Sequence, residues 1–136
     1  MKSVKIVLFF IIIYISPSLY GQKTKRVTCS NVINETWYFW KKDSLTKNGY
    51  RKAVYRKFLD CQIDSVHMNY LVSKLGKPTL VRTYKNEKFF DLLYDYYDYK
   101  KMDKDFRGPY GYDYLFFSVG KNDSLITDID WGSGDY

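Results

Sequence analysis

The stretch Asp64-Ser65-Val66-His67-Met68-Asn69-Tyr70-Leu71-Val72-Ser73-Lys74-Leu75-Gly76-Lys77-Pro78 carries a start signal and a stop signal and divides the chain into two kinds of pattern. Asp64 suits an N-cap, and Ile63 and Met68 stand where a hydrophobic staple would close over it. Met68, Leu71, Val72 and Leu75 recur at i, i+3, i+4 and i+7, one face of a helix. Gly76 can leave the helix in a left-handed conformation, and Pro78 prevents its continuation. The spacing predicts a helix from Asp64 to Gly76.

Downstream, the apolar period changes from helical to two. Strands are expected over residues 80–84, 89–97, 114–119 and 125–131, separated by Lys85-Asn86-Glu87, by a long loop from Asp98 to Tyr112, and by Gly120-Lys121-Asn122-Asp123. In the second strand Phe90, Leu92, Tyr94 and Tyr96 should meet the helices, leaving Phe89, Asp91, Leu93, Asp95 and Tyr97 on the opposite face. In the last, Leu125, Ile129 and Trp131 share a face opposed by Asp128 and Asp130. Upstream, Tyr50, Val54 and Phe58 with Ala53 form one face of a second helix over 50–59, and Arg51, Lys52, Arg56 and Lys57 occupy the rest. Trp37-Tyr38-Phe39-Trp40 reads as a short helical or irregular segment before a turn at Asn48-Gly49. Helices first and an antiparallel meander afterwards make an α+β two-layer sandwich, two helices on three or four strands.

The chain opens on Met-Lys-Ser-Val-Lys, an apolar run from Val7 to Ile15, and Ser16-Pro17-Ser18-Leu19-Tyr20-Gly21, which matches a cleavable secretory signal over residues 1–21. That run is shorter than the ~20 residues that span a bilayer, so no transmembrane span is expected once the signal is cleaved. Residues 22–42 then form a polar and aromatic leader, and 43–136 the domain. Cys29 lies too far behind the apolar run to be a lipid-attachment cysteine, so the expectation is a periplasmic or secreted protein that is not a lipoprotein. Export turns Cys29 and Cys61 into candidates for one disulfide, which in the loop-entropy picture would constrain the unfolded chain by roughly 3.7 kcal/mol; two buried thiols are the alternative.

Charge is uneven. Residues 22–90 hold 15 basic and 5 acidic side chains, residues 91–136 only 5 basic and 10 acidic. Either the two halves attract each other within the fold, or the basic half forms a face for an acidic partner or lipid headgroups. Export argues against nucleic acid.

The helix exit Val72-Ser73-Lys74-Leu75-Gly76-Lys77-Pro78-Thr79, followed by aromatic-rich strands, resembles the SmpA/OmlA (BamE-like) domain family, which shares the fold of the β-lactamase inhibitor protein. The likeness spans about residues 43 to 131, and Asp43-Ser44-Leu45 with Asn48-Gly49-Tyr50-Arg51 resembles the upstream segment of its small secreted relatives. It implies two helices on a small antiparallel sheet and an envelope protein that acts by binding a protein partner, with a peripheral relation to the outer membrane. The founding members work in outer-membrane β-barrel assembly as lipoproteins; this chain lacks their lipid-attachment motif and is richer in tyrosine.

No catalytic constellation stands out, and no cofactor or metal is expected. His67 has no nucleophile motif near it, and one histidine without suitably spaced cysteines does not make a zinc site. Asp103-Lys104-Asp105-Phe106-Arg107-Gly108 imitates the start of a calcium loop but has Arg107 where an acid belongs and Tyr114 where the closing Glu would be. Asp91 and Asp95 could serve a small secreted hydrolase or glycan-binding module, the alternative to a binding protein, but are expected to be solvated on the outer sheet face. Aromatic residues make up 20% of the chain, with 15 tyrosines. Tyr97, Tyr99, Tyr110 and Tyr112 flank the long loop and are the candidate partner surface, because tyrosine offers large contact area at small entropic cost; cross-strand packing is the competing role.

Overall fold

The structure, a computed structural model, describes residues 26–102, 105, 107–108 and 111–135. The signal-like segment 1–21 therefore lies outside the described residues. Three helices, α1 (Cys29–Lys42), α2 (Tyr50–Leu59) and α3 (Met68–Leu75), precede β1 (Leu80–Thr83) and β2 (Phe89–Asp98). A single turn, α4 (Tyr99–Met102), leads on to β3 (Tyr112–Gly120) and β4 (Ile126–Gly134). The four strands form an antiparallel meander in the order β1-β2-β3-β4, so the fold is α+β, with the helices on one face of the sheet.

The longest helix occupies part of the segment read as a leader. Cys29, Val32, Ile33, Thr36 and Trp40 are its buried stripe, at helical spacing. The stripe is hard to see in sequence because it includes a cysteine and a threonine and ends inside a run of four aromatic residues. The Thr36 hydroxyl donates to the Val32 carbonyl at 2.6 Å, which makes its burial tolerable. Trp40 is fully buried and meets Phe58 of α2 at 5.5 Å and Tyr94 of β2 at 6.1 Å between ring centroids. Phe117 of β3 closes the group, 5.7 Å from both Phe58 and Tyr94. All four contacts are edge-on, the arrangement that ring quadrupoles favour. Helical and sheet layers are joined through these four rings.

α2 begins and ends as its sequence suggests, but is rotated. Arg51, Val54 and Phe58 face inward, while Tyr50 and Ala53, expected inside, are exposed. The rotation is made tolerable by satisfying the guanidinium: Arg51 Nε donates to the Trp40 carbonyl at 3.0 Å and Nη1 to the Asp95 carbonyl at 2.7 Å. Burial still lowers its pKa, against the attraction of Asp43 and Asp95. Gly49, at φ +71°, enters the helix with no side chain to cap it; buried Asp43 supplies the acceptor instead, taking the N–H of Asn48 at 2.9 Å and of Arg51 at 3.2 Å.

α3 starts three residues later than expected. His67, not Asp64, is its N-cap, with Nδ1 accepting from the Asn69 N–H at 3.1 Å. Residues 64–67 stay out of the helix, with Ser65 at φ +57°, because their polar groups are taken elsewhere: the Val66 carbonyl accepts from Ile126 N–H, and the Asp64 carboxylate accepts from Ser30 N–H at 3.0 Å and from the Ser30 hydroxyl. Ile63 is exposed and forms no staple. Asp64 thus serves the N-terminus of α1, whose own first turn has no acid. Beside it, Cys29 and Cys61 are joined in a disulfide with a Cα–Cα distance of 5.0 Å. Gly76 ends α3 at φ +89°, ψ −173°, a conformation open to glycine and little else.

On β2 Leu92, Tyr94 and Tyr96 belong to the core and Phe90 packs against it, as expected; Tyr97, expected on the opposite face, packs against the core as well, because the register shifts between Asp95 and Tyr97. On β4 the inward residue is Ile126, not Leu125, because a register shift opposite Ser118 and Val119 inserts one residue before Asp128.

Candidate functional site

Tyr97 and Tyr99 are brought together by the end of β2 and the first turn of α4, with ring centroids 4.8 Å apart and edge-on. Lys52 of α2 lies over Tyr97, its ammonium 3.6 Å from the ring centroid, so one face of that ring is already occupied. The Tyr99 hydroxyl donates to Asp113 on β3 at 2.7 Å, and the other Asp113 oxygen accepts from the Ser133 hydroxyl on β4. The bond to Asp113, with burial adding to it, raises the phenol to about 12. Tyr96 stacks on Tyr55 of α2 at 4.2 Å, nearly parallel. Tyr112 pairs with Asp98 and Gly134 and alternates with Asp113, which puts it on the opposite sheet face. Tyr110 lies outside the described residues, as do Asp103, Lys104 and Phe106 of the calcium-like loop. Two of the candidate tyrosines thus meet in a network that ties β2, β3 and β4 to α2.

Asp91 and Asp95 are buried, contrary to the expectation of solvated carboxylates. Asp91 accepts from the Tyr84 hydroxyl at 2.6 Å and the Ser118 hydroxyl at 2.7 Å, which joins β2 and β3 and gives the charge two donors. Asp95 is pushed up to about 6, chiefly by burial, with Arg51 and Lys101 pulling it back and nearby Asp98 adding to the rise. Neither residue lines the cavity of about 240 Å³ between α1 and α2, the one of about 290 Å³ at the β3–β4 turn, or the one of about 190 Å³ in the loop after α1. Among the described residues no group of three or more His, Cys, Asp or Glu side chains could hold a metal ion.

A different surface emerges from the placement of α1. With Trp40 and Thr36 turned inward, Tyr38 and Phe39 face out at 53% and 43% exposure, and Leu45 in the following loop is 59% exposed. Tyr38 meets Phe39 at 5.9 Å and Phe39 meets the exposed Tyr50 of α2 at 6.1 Å, so the rings form a continuous ridge across both helices. Lysines border it. Lys42 lies 5.2 Å from the Tyr38 ring and 5.8 Å from Tyr50, while Lys41 and Lys74 flank Trp37 at 5.5 and 5.7 Å. Lys47 is exposed in the loop beside Leu45. The one acid between residues 37 and 57, Asp43, is buried in the capping bonds described above and does not offset this charge. Sequence reasoning missed the ridge because it depends on the phase of a helix whose inward stripe is itself cryptic.

No protein-family model matches the chain, and no curated protein or solved structure matches it either. Among the described residues no helix is long and apolar enough to cross a membrane.

Proposed function

We propose that this protein is a non-enzymatic binding domain of the cell envelope, which holds a protein partner on the ridge formed by Tyr38, Phe39 and Tyr50. The observation that carries this reading is the continuity of exposed aromatic rings across α1 and α2, bordered by Lys42, with Leu45 and Lys47 exposed in the loop between the two helices. Isolated exposed apolar residues are ordinary on a soluble domain; contiguous aromatic rings with a polar border are a signature of interaction surfaces. The border sets the partner's chemistry, an apolar patch with acidic residues around it.

Export, through the signal-like residues 1–21, and an oxidising compartment in which the Cys29–Cys61 disulfide persists support an envelope location. The likeness of the α3 exit to the BamE-like domain family supports a role in outer-membrane protein assembly or maintenance. The test uses the mature chain, from residue 22, immobilised and exposed to envelope extract beside a Tyr38→Ser/Phe39→Ser variant. A protein retained by the wild type and lost by the variant supports the reading; equal retention by both, or retention on glycan in place of protein, overturns it.

A further inference from the structure

β4 is an outer strand of the sheet: β3 lies on one side, and among the described residues no strand lies on the other, where only its first residue is paired, Ile126 N–H donating to the Val66 carbonyl beside the His67–Leu125 bridge. Along it Asp128 and Asp130 stand exposed on the face away from the helices, and Ile129 and Trp131 on the face toward them. In an antiparallel pair, alternate residues turn both backbone groups away from the neighbouring strand, so an outer strand presents a row of donors and acceptors with no ladder partner. Here the donors are engaged by the chain itself. Ile129 N–H donates to Asp128 Oδ1 at 2.9 Å and Trp131 N–H to Asp130 Oδ1 at 2.8 Å. Each carboxylate thus closes the edge donor that follows it. The flanks of this edge are prepared for contact: Trp131 is 53% exposed on one side, and on the other Gly132 has no side chain, the Tyr114 ring lying 2.9 Å from where its Cβ would be.

We propose that the free edge of β4 takes an extended segment of a partner protein as a fifth strand, and that this segment carries Lys or Arg on the face that meets Asp128 and Asp130. The reasoning follows from what an incoming strand must do. Its carbonyls need the N–H groups of Ile129 and Trp131, so both carboxylates have to leave them. A basic side chain opposite each Asp gives the displaced carboxylate a new partner across the strands, whereas a neutral strand leaves it with water alone and an acidic strand repels it. Apolar residues at the alternate positions would cover Trp131. A second copy is a poor occupant, since pairing β4 with itself sets Asp128 and Asp130 against the same two carboxylates. The edge is therefore closed to unspecific strand addition and open to strands of one charge pattern, which is specificity by exclusion as well as attraction. It does not use the aromatic ridge, and either surface can fail without the other.

The test uses the isotope-labelled mature chain and three synthetic peptides of equal length: one alternating Lys and Val, one alternating Glu and Val, and one with the lysines and valines of the first in separate blocks. The alternating Lys peptide should shift the amide resonances of Ile129 and Trp131 and slow their hydrogen exchange about tenfold or more. The Glu peptide and the block peptide should leave those two amides unchanged. In an Asp128→Asn/Asp130→Asn variant, whose amide oxygens can still cap the edge, the Lys peptide should bind about fivefold more weakly and the Glu peptide should no longer be excluded. Equal binding of Lys and Glu peptides, shifts confined to the ridge, or self-association of the wild type through β4 would each overturn the proposal. The variant's own spectrum shows whether it is folded.

Discussion

Arg51 Nη1 donates to the backbone carbonyl of Asp95 at 2.7 Å across a separation of 44 residues, while its Nε holds the carbonyl of Trp40. One side chain thereby fastens the end of α1 and the start of α2 to the centre of β2. Arg51→Met should lower stability by about 3 kcal/mol in urea titrations, because two buried carbonyls lose their donors together. Arg51→Lys should recover only part of this, since one ammonium cannot reproduce the planar fork that meets both. A loss below about 0.5 kcal/mol for Arg51→Met would mean that water replaces the guanidinium.

Asp95 is pushed up to about 6 by burial, above the value of 3.8 for an ordinary aspartate. A carboxyl raised in the folded state favours folding while it is protonated in both states, and that contribution is lost as pH climbs from about 4 through about 6. Asp95→Asn should therefore be more stable than the wild type at pH 7, with the advantage shrinking toward pH 4. Thermal melting at pH 4, 5, 6 and 7 reads the difference; parallel curves would refute it.

Asp64 is shifted the other way. Its burial works against ionisation, but the hydroxyl and N–H of Ser30 hold the carboxyl below its usual value. A lowered carboxyl contributes stability above its unfolded pKa and loses it as pH falls through the folded value, so Asp64 acts below about pH 4, outside the Asp95 window. Asp64→Ala should cost about 1 kcal/mol at pH 7, the usual consequence of removing a helix N-terminal acceptor, and fray the first turn of α1. Faster amide exchange at Ser30 and Asn31, with α3 unaffected, separates this from a role in capping α3.

Gly132 is held by the ring that crosses it. An added Cβ would come within 2.9 Å of three atoms of Tyr114, so Gly132→Ala should destabilise the β3–β4 pair by about 1–3 kcal/mol. Tyr114→Ala should remove most of that penalty in the double variant, which makes the coupling between the two sites measurable by a double-mutant cycle. Additive effects would show that the ring moves aside freely.

Removing both cysteines as Cys29→Ala/Cys61→Ala should cost about 2–4 kcal/mol, since the bridge closes a separation of 32 residues and Cys29 itself is buried in the core. Melting of the intact protein with and without reductant provides the same comparison without mutation.

The sheet was legible wherever apolar residues alternated over a full strand. Phe90, Leu92, Tyr94 and Tyr96 declare their common face because Asp91 and Asp95 alternate with them. The body of α3 was legible for the same reason, since Leu71 and Leu75 are the residues a helix there must bury. Its start was not: an aspartate before a helix is a good cap only while nothing else binds it, and Ser30 does. The surroundings of the candidate tyrosines were less legible. Tyr97 and Tyr99 were found, but as partners of Lys52 and Asp113, and the ridge of Tyr38, Phe39 and Tyr50 had no local signature.

What the sequence by itself determined about this protein is periodicity and punctuation: an antiparallel meander behind helices, and the exit of α3 at Gly76. Such features follow from burial repeating every second or every third to fourth residue, which neighbouring residues decide among themselves. Only the tertiary structure decided that Arg51 is an internal strut, that Asp64 serves α1, that Asp91 and Asp95 are buried, and that Asp128 and Asp130 close the edge of β4. A polar side chain's role depends on which donor or acceptor comes within about 3 Å of it. For Arg51, Asp64 and Asp91 that partner lies well away along the chain, and for Asp128 and Asp130 it is the next residue's N–H, turned toward the carboxylate because β4 ends the sheet.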